Sequence, residues 1–285
     1  MWNLEHTGEL LAMRVGIIGA QSRHVEYFGE LINKSSLFGG ARVEYIWGGD
    51  APERLKECAA AVGIENIAGT PSEVVDSCDA VLITLRDGGT HAAYAVECLE
   101  KHKPVFVDKP FTRSVKDAVT ILNTAVRTGT PFTGGSTLCF LPCIPDLKRK
   151  SPASPFIRVS YRADPFSSYG GWYFYGSHLT DLCAAICGTD AYSVCAKLSG
   201  SEVTADVSYP GKKVRIFSAP HVERAAVTMD AEYVLDDKEC YFHGVKTFFD
   251  VVSGKQSPDG ERLLFSVRLM DAIMRSLASG RDVSV

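Results

Sequence analysis

In the first half of the chain, continuous apolar runs alternate with segments of helical period. The apolar runs are 13–19 (MRVGIIG), 41–47 (ARVEYIW), 80–85 (AVLITL), 104–107 (PVFV) and 131–135 (PFTGG). Helix-like stretches lie between them, at 23–34, 52–62, 71–77, 90–102 and 113–129. A strand that is apolar throughout, rather than at every second position, is buried on both faces and belongs to a parallel sheet covered by helices. Repeated strand–helix alternation predicts an α/β unit with a doubly wound (Rossmann) parallel sheet. After residue 135 the character changes. A run at 156–164 (FIRVSYRAD) precedes a Gly- and aromatic-rich loop (PFSSYGGWYFYG) and a helix-like SHLTDLCAAIC. Strand candidates follow at 191–199, 203–208, 212–218, 222–228 and 239–242, with connections short enough to make them mostly antiparallel. Helices near 245–254 and 261–279 close the chain. The expected organisation is an arm over 1–12, a dinucleotide-binding domain over 13–135, and an α+β domain with a mostly antiparallel open sheet over 136–285.

Composition narrows the function classes. With 285 residues, 46% hydrophobic and 22% charged, the chain can bury a sizeable core without staples. A net charge of −4 and the lack of a basic stripe argue against nucleic acid as a partner. No apolar run approaches the roughly 20 residues that cross a bilayer, so no membrane partner is expected. The first residues lack the basic start and long apolar middle of a signal peptide, and 1–12 reads as an added arm or an upstream start. Nine cysteines are scattered without a C-x-x-C. Cys139/Cys143 and Cys183/Cys187 fall four apart, as small apolar residues on helix faces; four ligands at metal spacing are not in view, so no metal is expected. Free thiols of this kind suit the cytoplasm.

The first candidate site follows the first strand. Gly19 stands where a phosphate-binding turn must bend, but the later glycines of G-x-G-x-x-G are replaced by Gln21 and His24. The helix N-terminus that attracts a pyrophosphate survives such replacement, and Ser22 and Arg23 add a hydroxyl and a positive charge there. On this stretch alone, a cofactor turn and a purely structural turn stand level. Past the second strand, in WGGDAPERLKECAAAVG, Asp50 is a candidate acceptor for ribose hydroxyls and equally a helix N-cap before Pro52. Gly48–Gly49 leaves room for an adenosine, and the lack of an immediately following Arg tilts the choice towards NAD over NADP.

A second motif is VFVDKPFT (105–112). Lys109 sits at the end of a buried strand, where ligands bind in doubly wound sheets, and Pro110 biases it to an extended backbone; a surface lysine in a turn is the competing reading. A third is YFYGSHLTDL (173–182). If its helix starts near Ser177, His178 and Asp181 share a face and the carboxylate can fix the imidazole tautomer; a structural first turn competes. Trp172, Tyr173 and Tyr175 are candidate substrate-facing aromatics, although some of this cluster must pack inward.

These motifs together resemble the Gfo/Idh/MocA oxidoreductases, the family of glucose–fructose oxidoreductase and inositol dehydrogenase. The resemblance runs over nearly the whole chain: RVGIIGA, the stretch AVLITLRDGGTHAAYAVECLEKHKPVFVDKPFTRSVKDAVTI with Asp108 in the Glu position of E-K-P, GSHLTDL, and the closing LLFSVRLMDAIMRSLASGRDVSV. It implies an NAD(P)-dependent oxidoreductase of a small polyol, sugar or related hydroxy/keto compound, assembled as a homodimer or homotetramer through the second sheet. It gives Lys109 the role of orienting the substrate oxygen and His178 that of relaying the proton. It places Thr84 and Arg86 on the nicotinamide side, with Arg86 where the family commonly has Pro, and His91 near the cofactor or at a helix start. The chain departs from the family in Phe174, where an Asp is common, and Cys139, where an Arg is common. Those departures, with Gln21 and His24, support the alternative of a non-catalytic or regulatory relative that binds a nucleotide or sugar without turnover.

Overall fold

The computed structural model describes residues 12–35 and 37–285, so the expected arm over 1–12 lies, but for its last residue, outside the described residues. The first half folds as strand β1 (Arg14–Ile18), helix α1 (His24–Lys34), β2 (Arg42–Trp47), α2 (Pro52–Val62), β3 (Asn66–Ile67), α3 (Pro71–Ser77), β4 (Ala80–Ile83), α4 (His91–Glu100), β5 (Val105–Val107), α5 (Val115–Thr128) and β6 (Phe132–Gly134). All six strands are parallel, in the order β3-β2-β1-β4-β5-β6. This is the doubly wound sheet that the apolar runs predict. Local chemistry fixes several helix ends. Thr70 and Ser114 accept the Glu73 and Asp117 N–H groups as N-caps, and Gly63 and Gly129 close α2 and α5 with left-handed φ. The two-residue β3 carries no apolar run and has no signature in the sequence.

The second half contains a 3₁₀ turn (Thr137–Phe140), α6 (Ile144–Lys150), β7 (Phe156–Tyr161), α7 (Tyr173–Cys187), β8 (Ser193–Ser199), β9 (Glu202–Tyr209), β10 (Lys212–Ser218), β11 (Ala226–Thr228), β12 (Glu232–Val234), α8 (Cys240–Val252), α9 (Gly260–Ser279) and β13 (Val283–Ser284). Its sheet runs β12-β11-β7-β10-β9-β8-β13 and is antiparallel except for the β7–β10 pair, which α7 and the β8–β9 hairpin separate in sequence. Inward residues of this sheet, such as Val203, Ala205 and Val207, pack against α7 and α9 in one core. Two expectations are corrected. The 239–242 run opens α8 rather than forming a strand, because its apolar residues continue at helical spacing through Val245, Phe248 and Phe249. And α7 begins at Tyr173, with Trp172 as its N-cap after the left-handed pair Gly170–Gly171, so Tyr173, Phe174 and Tyr175 are helical rather than looped. Helix α8 then leaves the second half and packs on the first: Phe248 and Phe249 join the core formed by Val15, Ile17 and Phe106.

Candidate functional site

Strand register sets the site. Ile18 of β1 lies opposite Ile83 of β4, Ile83 opposite Val107 of β5, and Val107 opposite Gly134 of β6. The residues that follow each strand, Gly19, Thr84, Asp108 and Gly135, therefore emerge side by side at one rim. The strand order reverses between β1 and β4, the crevice where doubly wound sheets bind ligands.

Gly19 has φ +117°, and a Cβ there would lie 2.8 Å from the Leu85 nitrogen, so only glycine makes this turn. Thr84 is fully buried and braces it, its hydroxyl donating to the Gly19 carbonyl at 3.1 Å. Asp50 does not cap α2: the N-cap is Ala51, without a side-chain bond. Its two carboxylate oxygens instead accept from the Ala20 and Gln21 N–H groups, at 2.8 and 3.1 Å. Asp50 is thus a clamp on the turn rather than a free ribose acceptor. Arg54 closes the other side, donating to the Ala20 and Gln21 carbonyls and to Glu26. Gly48 and Gly49 serve the chain's own packing, since a Cβ would strike Ala20 and Leu55 at the first and the Trp47 ring at the second. The Ser22 and Arg23 N–H groups at the start of α1 have no partner among the described residues, while the Ser22 hydroxyl accepts from His24 N. With Gly19 making the bend, these free donors fit a pyrophosphate, as the turn requires.

His24, in the place of the third glycine, turns away from that anion site. Its Nδ1 is 2.5 Å from Asp108 Oδ2, and because a carboxylate only accepts, Nδ1 carries the proton. Its ring packs against Phe28 and, edge-on, against Tyr241 of α8, which stacks on Tyr27 at 4.4 Å. Burial pushes the Asp108 carboxyl up, but the His24 imidazole and Lys109 beside it prevail and hold it below the usual carboxylate range. The second oxygen, Oδ1, is buried without a partner.

Lys109 is only 3% exposed and forms neither a hydrogen bond nor an ion pair among the described residues. Its Nζ lies 3.8 Å from the Phe174 ring centre and 4.6 Å from that of Tyr175. Burial lowers its pKa to about 8, against the pull of Asp108 and with the help of Arg86 and Arg162. The Lys109–Pro110 peptide is cis. The surface-turn reading of this lysine is excluded by its burial.

His178 and Asp181 do lie on one face of α7, yet they do not bond to each other. Ser136, just past β6, joins them: its Oγ is 2.6 Å from His178 Nδ1, and its N–H donates to Asp181 Oδ2 at 2.6 Å. Asp181 is held further by Arg262 of α9, which also donates to the Gly134 carbonyl. Asp181 therefore positions the segment that carries Ser136, and Ser136 fixes the imidazole. Burial, then the nearby Lys109, keeps His178 well below its ordinary pKa, so the ring is neutral at pH 7. Tyr161 and Tyr175 flank it.

Two further expectations change, and one resolves. His91 opens α4, the helix-start alternative, and is fully buried with Nε2 and Nδ1 3.0 and 3.2 Å from the Leu85 and Phe111 carbonyls, one of which the single N–H of the neutral ring meets. Trp172 is a core residue whose indole N–H donates to Ser218 at 2.8 Å, so it forms no substrate wall. Tyr173 is half-buried under the Arg113 guanidinium, outside the Lys109–His178 cluster, whereas Tyr175 touches both members of it. Arg86 stacks over Tyr169 at 4.5 Å, and its Nε is buried without a partner. Cys139 is buried and its thiol is pushed up by burial, beside Arg262. Ser136, Arg262, Arg54 and Tyr241 carry no motif; an arginine inside the apolar period of α9 is the one signal among them.

Comparison with known proteins agrees with this geometry. Residues 13–135 match the family model described as an oxidoreductase family with an NAD-binding Rossmann fold, GFO_IDH_MocA. Inositol 2-dehydrogenase 2 of Paenarthrobacter aurescens (strain TC1) is 31% identical over 114 residues, 39% of this chain and 32% of that protein. The match thus spans about a third of the curated relative's length. Over the whole fold, the chain is similar to an oxidoreductase from Agrobacterium radiobacter in complex with NAD+, L-tartaric acid and magnesium (TM-score 0.77, 18% identity, 96% of this chain and 98% of that one). It is likewise similar to apo scyllo-inositol dehydrogenase from Lactobacillus casei (TM-score 0.80, 14% identity, 97% and 99%). The part of the chain that holds the phosphate turn and Lys109 belongs to the Gfo/Idh/MocA oxidoreductase family.

Proposed function

From that membership we propose that the protein is an NAD(P)-dependent oxidoreductase that interconverts a hydroxyl and a carbonyl on a small polyol, sugar or related compound. The carrying observation is the unpartnered, buried Lys109 ammonium beside the neutral His178, at the strand ends where the first domain's family binds its nicotinamide cofactor. The N-terminus of α1, through the Ser22 and Arg23 N–H groups, would hold the pyrophosphate. The cofactor would supply the hydride acceptor or donor. In the tautomer whose Nδ1–H donates to Ser136 Oγ, the His178 Nε2 lone pair would be free to take the proton that a substrate hydroxyl loses as its carbon gives up hydride. Lys109 would donate a hydrogen bond to that oxygen and stabilise the charge it gathers. Asp50, three residues past β2, keeps its negative charge while it clamps the turn, and that charge would disfavour a 2′-phosphate and so favour NAD over NADP.

The test is a panel of polyols and sugars with NAD+ and NADP+, followed at the nicotinamide absorbance band, on wild type and Lys109→Ala. Turnover that Lys109→Ala lowers by about 10²-fold or more, with cofactor affinity kept, is expected. Turnover retained in Lys109→Ala overturns the role given to Lys109. The second reading, binding without turnover, draws on Phe174: an apolar ring, not an acid, meets the ammonium. Cofactor binding with no turnover of any panel member would favour it.

A further inference from the structure

On the crevice side facing the second half, three cations form no ion pair among the described residues. Lys109, Arg86 and Arg162 surround the aromatic stack Tyr169–Phe174–Tyr175. The Arg86 guanidinium carbon is 4.5 Å from the Tyr169 ring centre and 5.7 Å from that of Phe174, whose other neighbour is Lys109. Arg162 is 5.5 Å from the Tyr175 ring centre, and Lys109 is 4.6 Å from the same ring. Each guanidinium therefore shares a ring with the ammonium. The three come from separate elements: Arg86 follows β4, Lys109 follows β5, and Arg162 follows β7 of the second half. None has an ion-pair partner among the described residues. The acids around them are engaged elsewhere: Asp87 with Arg113, Asp108 with His24, and Asp237 3.5 Å from the Tyr161 hydroxyl. Arg86 Nε is a buried donor without an acceptor, and the buried Lys109 side chain forms no hydrogen bond among the described residues.

Three like charges gathered over shared rings, Lys109 buried, Arg86 half-buried and Arg162 at the solvent edge, repel one another, and the aromatic faces offset only part of that. Unpaired N–H donors of a planar guanidinium are matched by a carboxylate, which accepts in the plane of the fork. The pyrophosphate is not the missing anion, because α1 provides its donors and Arg162 stands on the opposite, second-half side. We infer that the substrate is itself an acid: a hydroxy acid or sugar acid whose carboxylate sits between Arg86 and Arg162 while its reacting hydroxyl meets Lys109. This rests on the oxidoreductase reading, which it narrows from neutral polyols to anionic ones.

The experiment is calorimetric titration of the intact protein, with and without saturating NADH, using matched probes: D-galacturonate against D-galactose, D-gluconate against D-glucitol, and D-galactose 6-phosphate as a second anion. The acids are expected to bind about tenfold tighter than their neutral partners, an advantage that shrinks at high salt. In Arg162→Gln and Arg86→Gln the advantage should fall to about threefold or less, with Arg162→Lys between, since it keeps the charge and loses the fork. Arg162→Gln should leave NADH affinity unchanged, which separates a substrate role from a cofactor role. Arg162 is solvent-exposed, so its variants are expected to fold. Equal affinity for acid and neutral probes, no binding of either acid, a preference for the phosphate, or an advantage that survives both Gln variants would overturn the inference. Absent NADH binding alongside acid-selective binding would instead overturn the oxidoreductase reading and leave the anion site standing.

Discussion

Lys109→Met keeps the length of the side chain and removes its charge, which makes it the sharpest probe of the buried ammonium. In the fold the lysine loses its proton at about 8, against 10.5 when unperturbed. At pH 7 the group is charged in both folded and unfolded chains, and holding the charge in the fold costs about 3 kcal/mol by linkage. Cation–π contact with Phe174 and Tyr175 returns about 1–2 kcal/mol of this. A methionine packs on the same rings without the charge. The variant should therefore be more stable than wild type by about 1–2 kcal/mol at pH 7, and inactive. Between about pH 8 and pH 10.5 the unfolded chain binds the proton that the folded chain has lost, so wild-type stability rises with pH through that window and the gap closes. Urea unfolding of both proteins at pH 7 and at about pH 10 reads the two gaps directly. A variant less stable than wild type at pH 7, or a gap that does not narrow with pH, would refute the claim that the ammonium is held at a cost.

Three further changes probe separate parts of the site. Gly19→Ala puts a Cβ against the Leu85 backbone at positive φ and should cost about 2 kcal/mol or more, read as a lower urea midpoint, with weaker NADH binding. His24→Ala leaves the buried Asp108 without its partner and should cost about 3 kcal/mol. Because the Asp108 pKa is lowered in the fold, its stabilisation is present above the unfolded carboxylate value and is lost as pH falls below it. His24→Ala should flatten that acid limb in thermal unfolding scans, and an unchanged limb would contradict the pairing. Ser136→Ala frees His178 Nδ1 and should lower kcat by about tenfold with little change in KM; an unchanged kcat would remove Ser136 from the positioning chain.

The first sheet is readable because β1, β4 and β5 are buried on both faces, which writes a nearly continuous apolar run at each, whereas β2 carries Arg42 and Glu44 and is only partly buried. The start of α7 was hidden by Gly170 and Gly171: they mark a turn, but the turn ends before the aromatics rather than after them. The short run at 239–242 fits a strand and a buried helix equally, and only its continuation to Phe249 decides. Strands of two or three residues, β3 and β12, exist by pairing with neighbours and carry no pattern of their own. Within the site, Gly19, Lys109 and His178 stand out because each lies in a local motif at a strand or helix end. The partners that set their chemistry lie far along the chain, as Asp50 does from Ala20, His24 from Asp108, and Ser136 from His178. No spacing rule links such residues. Asp50, a plausible ribose acceptor by position, becomes a clamp on the turn because Ala20 and Gln21 present their N–H groups to it first.

The proposed activity stands on the N-terminus of α1 binding a nicotinamide cofactor despite Gln21 and His24. Fluorescence titration with NADH tests it on wild type, Arg23→Ala and Arg23→Pro. Arg23 has φ −67°, which proline adopts, so Arg23→Pro removes one free N–H donor while Arg23→Ala removes only the side chain. Saturable binding in wild type and Arg23→Ala, weakened about tenfold in Arg23→Pro, is the predicted result. No saturable binding of NADH or NADPH to wild type would contradict the account.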